Sequence, residues 1–324
     1  MSDRYACQRA LSDVGVEGQS RIMAASVLVV GAGGLGCAVL QYLCAAGVGR
    51  IVVLDHDRVE EANLHRQPLF RTNDVGRFKV EVAQAVLLDS NPHVAVEAVC
   101  QRLTPANAPA LVASVDIVVD AADNFAATYV LSDECHRAGK PLVSASVLGL
   151  SGYVGVFCGG APSYRAVFPD VPRRAGSCAS GGVLGTAVGV MGTLQAHCVL
   201  SLAIGLEPSP RGQLITVDFR NLRFGGFSFA GAQEPVAPAI PFIAPAEVRD
   251  ADLIVDLRGI AESPSSPFPS AVRVLTDEIE EVASTVPASQ RIVLCCRSGL
   301  RAWHAAATLQ ARGHTNLALV ALGD

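Results

Sequence analysis

Four closely spaced glycines and one aspartate form the clearest candidate for a nucleotide-binding site. Gly31, Gly33, Gly34 and Gly36 follow an apolar run of strand length and precede a stretch with helical character. Glycines at such a turn let backbone N–H groups and a helix N-terminus approach phosphates closely. Asp55 ends the next apolar run, about 20 residues further on, where an acidic side chain can hold ribose hydroxyls. The combination predicts a nucleotide site.

Polar and basic side chains soon after Asp55 indicate which reaction this site could support. They are Asp57, Asn63, Arg66 and Lys79. Phosphoryl or nucleotidyl transfer needs such groups, because charge develops on the transferred phosphate oxygens, whereas hydride transfer does not. Two alternatives stay open from the residues alone. Arg66 and Lys79 could be solvated surface charges, and the glycine turn could serve an NAD-dependent oxidoreductase.

An acidic and an amide side chain follow a further apolar run, residues 116–120. Asp123 and Asn124 come three and four residues after this run. The carboxyl ends of parallel strands face the ligand crevice of a sheet, and carboxylate oxygen is a preferred ligand of Mg²⁺. Asp123 is therefore the predicted magnesium ligand.

The order of these motifs resembles the ThiF/MoeB/HesA family of E1-like adenylyltransferases. The resemblance extends from residue 4 to about residue 224. It rests on residues 4–5, 17–19, 31–36, 55–57, 63–67, 76–79, 122–124, 139–143 and 182–185. It implies ATP- and Mg²⁺-dependent adenylation of the C-terminal glycine of a ubiquitin-like sulfur carrier, a ThiS- or MoaD-like protein ending in Gly-Gly.

The same resemblance implies a role for each candidate residue. By resemblance, Gly34 and Asp55 contact the nucleotide, and Asn63 and Arg66 contact its phosphates. Lys79 stabilises the charged transition state. Asp123 and Asn124 bind Mg²⁺ and ATP. These are the groups that the spacing of the residues had already singled out.

A second candidate site lies near the end of the chain, where a strand-like run meets a short loop. Residues 291–294 lead to Cys295, Cys296 and a glycine-containing loop that ends at Arg301. A thiol in such a loop, before a helix, is activated because the helix N-terminus and nearby arginines stabilise the thiolate. Counted from Cys296 the loop has the spacing C-x₄-R, and counted from Cys295 it has C-x₅-R, so either thiol could be the nucleophile.

This segment resembles the rhodanese family, which favours Cys296. The resemblance covers about residues 246–324 and rests on residues 256–258 and 292–301. It implies a sulfurtransferase that carries a persulfide on Cys296. Arg301 and its neighbours would bind an anionic sulfur donor, a persulfide or thiosulfate.

The rhodanese-like segment also departs from its family. It is short, and residues 267–270 read Pro-Phe-Pro-Ser where the family has His-Ile-Pro-Gly. A binding module without activity therefore stays an alternative. Cys295 would be a buried strand residue or a thiol that oxidises with its neighbour.

One more thiol gains a role from the adenylyltransferase resemblance. Cys178 lies in a Gly- and Ser-rich stretch where this family often has a crossover-loop cysteine. Such a thiol can take a persulfide or a covalent link to the carrier. The alternative is an inert thiol.

The adenylyltransferase resemblance has gaps. The leader has Cys7 where relatives have an arginine that reaches the partner subunit's ATP site, and Thr128 replaces another arginine. The two C-x-x-C pairs that bind zinc in the family are also missing; the first would fall at residues 163–166. We therefore predict no zinc, with the loops near 160–166 and 225–230 held by packing alone.

The elements that must position these sites follow an α/β pattern. Apolar strand-like runs alternate with helical stretches in both halves, as in a parallel sheet. Residues 230–246 carry four prolines and predict an extended linker. We predict an adenylyltransferase domain with a Rossmann-like, mostly parallel sheet at 1–230, a linker at 231–246 and a small rhodanese-like α/β domain at 247–324.

Composition narrows the class of protein. Half of the 324 residues are hydrophobic, which excludes a disordered or fibrous chain, and the net charge of −5 disfavours a nucleic-acid partner. Ten cysteines without a signal-like N-terminus favour reduced thiols in the cytoplasm. Residues 181–206 lack charged side chains, but their polar groups favour a buried helix over a membrane span.

The two halves together predict one reaction sequence. The first domain would adenylate the carrier, and a persulfide on Cys296 would then deliver sulfur to give a thiocarboxylate. The family is commonly dimeric, so we expect a homodimer. Two other functions stay open: an NAD-dependent oxidoreductase, and an E1-like scaffold that binds a ubiquitin-like tail without adenylating it.

Overall fold

The structure, a computed structural model, describes residues 3–171, 182–236 and 239–323, and its strands form two sheets. The strands of the first sheet are β1 (Ser26–Val30), β2 (Arg50–Leu54), β3 (Ala95–Val99), β4 (Ile117–Asp120), β5 (Pro141–Leu148), β6 (Ser151–Cys158), β7 (Gln213–Asp218) and β8 (Arg223–Ser228). The helices described in this part are α1 (Ala6–Arg9), α2 (Gly15–Ala24), α3 (Gly34–Ala46), α4 (Lys79–Ser90), α5 (Ala108–Ala113), α6 (Phe125–Ala138), α7 (Tyr164–Val167) and α8 (Gly185–Ile204).

The first sheet has the order β3-β2-β1-β4-β5-β6-β7-β8. The strands from β3 to β5 pair in parallel, and β6, β7 and β8 add antiparallel strands. Because β1 pairs with both β2 and β4, the chain order reverses there and leaves a crevice at the carboxyl ends of the strands. The predicted Rossmann-like, mostly parallel architecture is confirmed.

Helix α8 explains the long uncharged stretch of the sequence. It is long and apolar enough to cross a membrane, yet it packs against α2, α3, β5 and β6. Its polar Gln195 is buried and donates from Nε2 to the carbonyl oxygens of Asp120 and Val143, at 2.8 and 3.3 Å. The prediction of a buried helix is confirmed, although Val190 stays exposed.

The second sheet has the order β10-β9-β11-β12, all parallel. Its strands are β9 (Leu253–Asp256), β10 (Val272–Arg273), β11 (Ile292–Cys296) and β12 (Leu317–Ala321), and its helices are α9 (Ile279–Thr285) and α10 (Leu300–Ala311). The sequence predicts a helix over residues 303–312, and α10 begins three residues earlier, at Leu300. Gly299 adopts φ +84°, which any other residue would adopt at a cost, and the helix begins directly after it.

The proline-rich segment does more than connect the two sheets. Its backbone joins the edge of the second sheet, because Ile243 N–H donates to Leu319 and Leu319 N–H donates to Pro241, at 2.8 and 2.9 Å. Ile240, Phe242 and Ile243 are buried. The segment is therefore packed against folded structure.

The two domains share one hydrophobic cluster. Tyr129 from α6 lies 4.9 Å from the ring of Trp303 in α10, centroid to centroid. Phe242 lies 6.2 Å from the same ring, and the guanidinium of Arg165 lies 5.1 Å from it. Arg165 is itself buried and paired with Asp133. The domains thus meet through aromatic packing and one largely buried cation.

The loop near residue 163 corrects one prediction. The Ser163 backbone N–H and Oγ donate to the two carboxylate oxygens of Glu234, at 2.6 and 2.5 Å. Packing contributes as well, since the rings of Phe157 and Phe229 stack at 4.9 Å. The prediction that packing alone holds these loops is wrong for the first of them, because a carboxylate from the segment after β8 is hydrogen-bonded to Ser163.

Candidate functional site

A cavity of about 580 Å³ opens at the carboxyl ends of the parallel strands. Ten of the predicted site residues line it: Gly31, Gly33, Gly34, Asp55, Asp57, Asn63, Arg66, Lys79, Asp123 and Asn124. They come from five separate segments, and the tertiary structure brings them to one place. Gly36 lies behind the cavity, inside α3.

The glycine turn shows two different reasons for glycine. A Cβ on Gly36 would lie 1.9 Å from the Gly31 carbonyl oxygen, and one on Gly31 would lie 2.5 Å from the Ala121 carbonyl oxygen. These glycines allow backbone to pack on backbone. A Cβ on Gly33 would have the amide of Gln67 as its nearest neighbour, at 3.9 Å. The space above Gly33 is therefore open to a ligand such as a phosphate.

Asp55 connects the end of β2 to the glycine turn. Its Oδ2 accepts from the Ala32 N–H at 2.7 Å, and its Oδ1 accepts from the Asp57 N–H at 2.8 Å. Each carboxylate oxygen keeps a second lone pair for a ligand hydroxyl. The carboxylate is thus fixed in orientation at the position where a ribose-binding acid is expected.

Lys79 reaches the cavity because its segment pairs with residues 57–59. Arg58 and Phe78 form a β-bridge, and the Lys79 N–H donates to the Asp57 carbonyl oxygen at 2.9 Å. The Lys79 side chain is buried, and its Nζ donates to Asp57 Oδ2 at 2.8 Å. A buried ammonium with one carboxylate partner is a fixed positive charge, which a solvated surface lysine is not.

Arg66 and Asn63 are similarly paired. Arg66 Nη2 donates to Asn63 Oδ1, and its Nη1 lies 2.9 Å from His65 Nε2. Asn63 ends the short 3₁₀ helix Glu61–Asn63, Arg66 lies in the turn that follows it, and both line the cavity. The interpretation of Arg66 and Lys79 as unrelated surface charges does not fit this arrangement.

The end of β4 supplies acidic and amide groups. Asn124 caps α6, since its Oδ1 accepts from the Ala127 N–H at 2.9 Å, while Asp123 is exposed in the cavity. Below them Asp120 is buried, and burial raises its pKa to about 6 despite hydrogen bonds from Thr128 and Ser144. Thr128 therefore supports the floor of the site through its hydrogen bond to Asp120.

Gln67 is a cavity residue to which the sequence analysis gave no role. It is 3% exposed, lines the cavity and has no hydrogen-bond partner for its Oε1 in the described part of the chain. Its place at the end of the 63–67 motif was the available signal. An aromatic wall of Tyr153, Tyr164 and Phe168 was also missed, because these rings come from the hairpin and loop after β5.

The leader does not reach this cavity. Arg4 Nη1 donates to the Ser90 carbonyl oxygen at the end of α4, at 2.9 Å, and Cys7 is exposed. Neither residue lines the cavity of the same chain.

The sulfur-transfer candidate lies at the start of α10. The side chains of Cys295 and Cys296 point to opposite faces of β11, and both are buried. Burial raises the pKa of the Cys295 thiol to about 12, whereas Cys296 Sγ lies 3.5 Å from the Ala302 N–H, which donates to it. The helix N-terminus thus faces Cys296, as the favoured spacing requires, and Cys295 is the buried strand residue.

Two arginines of the rhodanese-like segment, Arg301 and Arg258, already have carboxylate partners. Arg301 donates two hydrogen bonds to the two oxygens of Glu262, at 2.7 and 2.5 Å, and a third to the Leu257 carbonyl oxygen. Arg258 makes a similar two-point pair with the buried Asp256. Arg301 therefore stands where predicted, but in this structure its guanidinium is engaged by Glu262.

The two sites adjoin each other without sharing their reactive groups. Cys296 and Arg301 do not line the cavity. The backbone of Cys296 is nevertheless bonded to a residue that lines the cavity, since the Leu322 N–H donates to the Cys296 carbonyl oxygen at 2.9 Å. Cys178 lies outside the described residues.

Comparison with known families accounts for both halves of the chain. The model of the ThiF family matches residues 5–235, and that of the rhodanese-like domain matches residues 244–323. The adenylyltransferase and sulfurtransferase MOCS3 of Bos taurus is 49% identical over 218 residues, which is 66% of this chain and 48% of the relative. The chain thus aligns with about half the length of this kind of relative.

Two further likenesses are informative. A sulfur carrier protein adenylyltransferase of Thermus thermophilus is 46% identical over 224 residues, 67% of this chain and 83% of the relative. A crystal structure of E. coli MccB with ATP has a TM-score of 0.62 at 22% identity, over 74% of each chain. At that identity the likeness to MccB shows the fold alone.

Proposed function

The chain belongs to the ThiF family and carries a rhodanese-like domain, and on this premise we propose that it is an adenylyltransferase with sulfurtransferase activity. Its substrates would be ATP and the C-terminal glycine of a ubiquitin-like sulfur carrier of the ThiS or MoaD kind. The bovine and Thermus relatives, named for adenylyl and sulfur transfer, support this reaction class over an NAD-dependent oxidoreductase.

In the first step a carboxylate oxygen of the carrier attacks the α-phosphorus of ATP, and the bond to the β-phosphate oxygen breaks. The products are an acyl-adenylate and pyrophosphate. The open backbone at Gly33 and the N-terminus of α3 would receive phosphate oxygens. Arg66 and the buried Lys79 would stabilise the charge that develops on these oxygens, because both cations are held in place before the reaction begins.

Asp123 fits a magnesium ion by the chemistry of its donor. It offers carboxylate oxygen, lines the cavity and is exposed there. Bound Mg²⁺ would supply positive charge to the phosphates. Asn124 is committed through Oδ1 to capping α6, which leaves its amide N–H groups for the nucleotide.

In the second step a persulfide on Cys296 attacks the activated carbonyl carbon, and AMP leaves. The product is an acyl disulfide between the carrier and Cys296. A second thiol, from Cys178 or an external donor, then attacks the Cys296 sulfur. The carrier leaves as a thiocarboxylate, and the attacking thiol forms a disulfide with Cys296. Because Cys296 is buried, we expect its loop to open during sulfur loading.

The observation that carries this proposal is the convergence of ten residues from five segments on one cavity with an uncrowded Gly33. Pyrophosphate exchange into ATP in the presence of a Gly-Gly-ending carrier tests it. Lys79→Ala should lower the exchange rate by about 100-fold, because it removes a fixed cation from the transition state.

Lys140→Ala is the matched control. Lys140 donates to the Val115 carbonyl oxygen and does not line the cavity, so this variant should exchange at the wild-type rate. Equal exchange by Lys79→Ala and wild type would remove Lys79 from the mechanism. Failure of the wild type to exchange pyrophosphate with any Gly-Gly-ending carrier would instead favour the non-catalytic scaffold.

A further inference from the structure

The nucleotide cavity has one wall that the first domain does not supply. Phe242, Ile243 and Pro245 line it from the proline-rich segment, and Ala321 and Leu322 line it from the end of β12. The adenylyltransferase resemblance ends near residue 224, so these residues lie outside the motifs that predicted the site.

This wall is in tight contact with the first domain. A Cβ on Gly323, next to Leu322, would lie 1.4 Å from Arg102 Nη1. A Cβ on Gly299 would lie 2.6 Å from Phe242 Cε1 and 3.5 Å from Ala126 Cβ. Arg102 and Ala126 both line the cavity. The second domain therefore packs directly on its rim, from the loop after β3 to the start of α6.

The chemistry of the lining divides the cavity into a charged part and an apolar part. The charged part contains the glycine turn with Arg66 and Lys79, and Asp55 adjoins it. Apolar lining from the first domain comes from Val30, Leu54, Leu103, Ala122 and Phe125. Leu103, Ala122 and Phe125 pack on the same buried cluster as Phe242.

The order of groups in a nucleotide can be matched to this division. Phosphates belong at the glycine turn and the ribose at the acid that ends β2. The base must then lie beyond Asp55, in the direction of the loop after β3, which includes Arg102 and Leu103. Apolar side chains suit the faces of a purine, which is flat and weakly hydrated compared with the phosphates.

We propose that the proline-rich segment and the end of the second domain together form the base-facing wall of the nucleotide site, with Phe242 and Leu322 covering the purine of ATP. The sulfurtransferase-like domain is then also a structural part of the adenylation site. This inference rests on the proposed function only in requiring that the cavity binds ATP. Sulfur transfer by Cys296 plays no part in it.

ATP bound in this cavity would contact both domains and would therefore affect how tightly they pack. A ligand that touches both domains stabilises their packing by the free energy with which it binds the packed form. Trp303 is the only tryptophan in the chain, and it contacts Tyr129 and Phe242, which both line the cavity. Addition of ATP should therefore change the fluorescence of Trp303.

Titration calorimetry of the full chain with ATP and Mg²⁺ tests the wall. Leu322→Ala and Phe242→Ala should each raise the dissociation constant of ATP by about fivefold or more, because apolar area over the base is lost. Phe242→Leu should lose less affinity for ATP than Phe242→Ala. Leu322 is only partly buried, so its variant gives a result even if Phe242→Ala fails to fold.

Leu275→Ala and Phe268→Ala are the matched controls, since both residues belong to the second domain and neither lines the cavity. They should bind ATP within about twofold of wild type, a difference well below 1 kcal/mol. ATP affinity unchanged in Leu322→Ala and Phe242→Leu would overturn the proposal, as would an equal loss in the controls. No ATP binding by the wild type would instead refute the proposed function itself.

Discussion

The carboxylate of Glu262 is hydrogen-bonded to the guanidinium of Arg301, the group that would bind an anionic sulfur donor. Hydrogen bonds from Arg301 hold the pKa of Glu262 below its usual range, and Arg297 and Arg258 add favourable charge. Arg258 is paired to Asp256, so Arg258 and Arg301 each have a carboxylate partner. A dianion such as thiosulfate must displace Glu262, whereas a persulfide with less charge has less need to.

We expect Glu262→Gln to increase the rate constant kcat/KM for thiosulfate as sulfur donor by about tenfold, because a neutral amide competes less well for Arg301. Sulfur loading of Cys296 from thiosulfate, measured by mass, reads this out. Glu280→Gln removes an exposed pair with Arg312 in the same domain and should leave the rate constant unchanged. A rate constant that does not rise in Glu262→Gln would show that this carboxylate does not control access.

Asp120 gives the fold a dependence on pH. Burial raises its pKa to about 6 from 3.8, so the folded state binds the proton more tightly than the unfolded state does. Its contribution therefore favours folding at low pH and is lost as the pH rises through about 6. Asp120→Asn lacks this titration.

The melting temperature of wild type relative to Asp120→Asn should accordingly fall between pH 5 and pH 7.5. Asp116→Asn serves as the opposite case, because a side-chain hydrogen bond from Ser26 lowers the pKa of Asp116. Asp116 therefore stabilises the fold above its unfolded pKa, and its loss should destabilise the protein throughout that interval. Parallel pH profiles for wild type and Asp120→Asn would contradict the raised pKa.

At the scale of elements, the contact between Ser163 and Glu234 joins the start of α7 to the segment after β8. Here the Ser163 side chain is 4% exposed, and the same residue caps α7 by accepting from the Ala166 N–H at 3.3 Å. The Glu234 carboxylate thus joins the loop after β6 to the segment after β8 through hydrogen bonds from Ser163.

Ser163→Ala should lower the free energy of unfolding by about 1–3 kcal/mol, because a buried hydrogen bond to a charged group and a helix cap are both lost. Urea denaturation measures the change. Ser284→Ala removes an exposed hydroxyl bonded to the Glu280 carbonyl oxygen and should change stability by less than about 0.5 kcal/mol. Similar losses in both variants would mean that the Glu234 contact contributes little.

At the scale of the whole molecule, the contact around Trp303 decides whether the two domains behave as one body. Arg165 lies over the rings of Tyr129 and Trp303, at 4.7 and 5.1 Å, and its guanidinium makes a two-point pair with Asp133. Docking of the domains removes water from the Arg165 guanidinium and from the Trp303 ring, which strengthens their cation–π contact. The Arg165–Trp303 contact is lost when the domains separate.

We expect the wild type to unfold with coincident changes in Trp303 fluorescence and far-ultraviolet circular dichroism. Arg165→Leu should separate the two curves, because the fluorescence of Trp303 would report loss of the interface before the sheets unfold. Arg312→Leu, on the exposed side of α10, should keep them coincident. Coincident curves in Arg165→Leu would indicate that other contacts suffice to hold the domains together.

Local pattern was enough to predict most elements and most of the predicted residues that line the first cavity. Apolar runs, glycine spacing and the charged residues that follow each strand are short-range properties, so β1, β2, α3 and the cavity residues from Gly31 to Asn124 could be predicted from order along the chain. Spacing alone left Cys295 and Cys296 open, and the resemblance of residues 292–301 to the rhodanese family favoured Cys296. Chain order alone also indicated a parallel sheet, because strand–helix alternation leaves few other arrangements.

Only the tertiary structure decided what depends on residues far apart in sequence. Glu234 meets Ser163, Glu262 engages Arg301, and Phe242 with Leu322 closes a cavity whose glycine turn lies more than 200 residues earlier. These contacts depend on how the chain packs over long distances in sequence. The hydrophobic pattern of each domain specifies only that domain's own core, so it does not predict them. The sequence by itself therefore determined which reactive residue types the two candidate sites contain, and the packing of the domains decided which residues surround them.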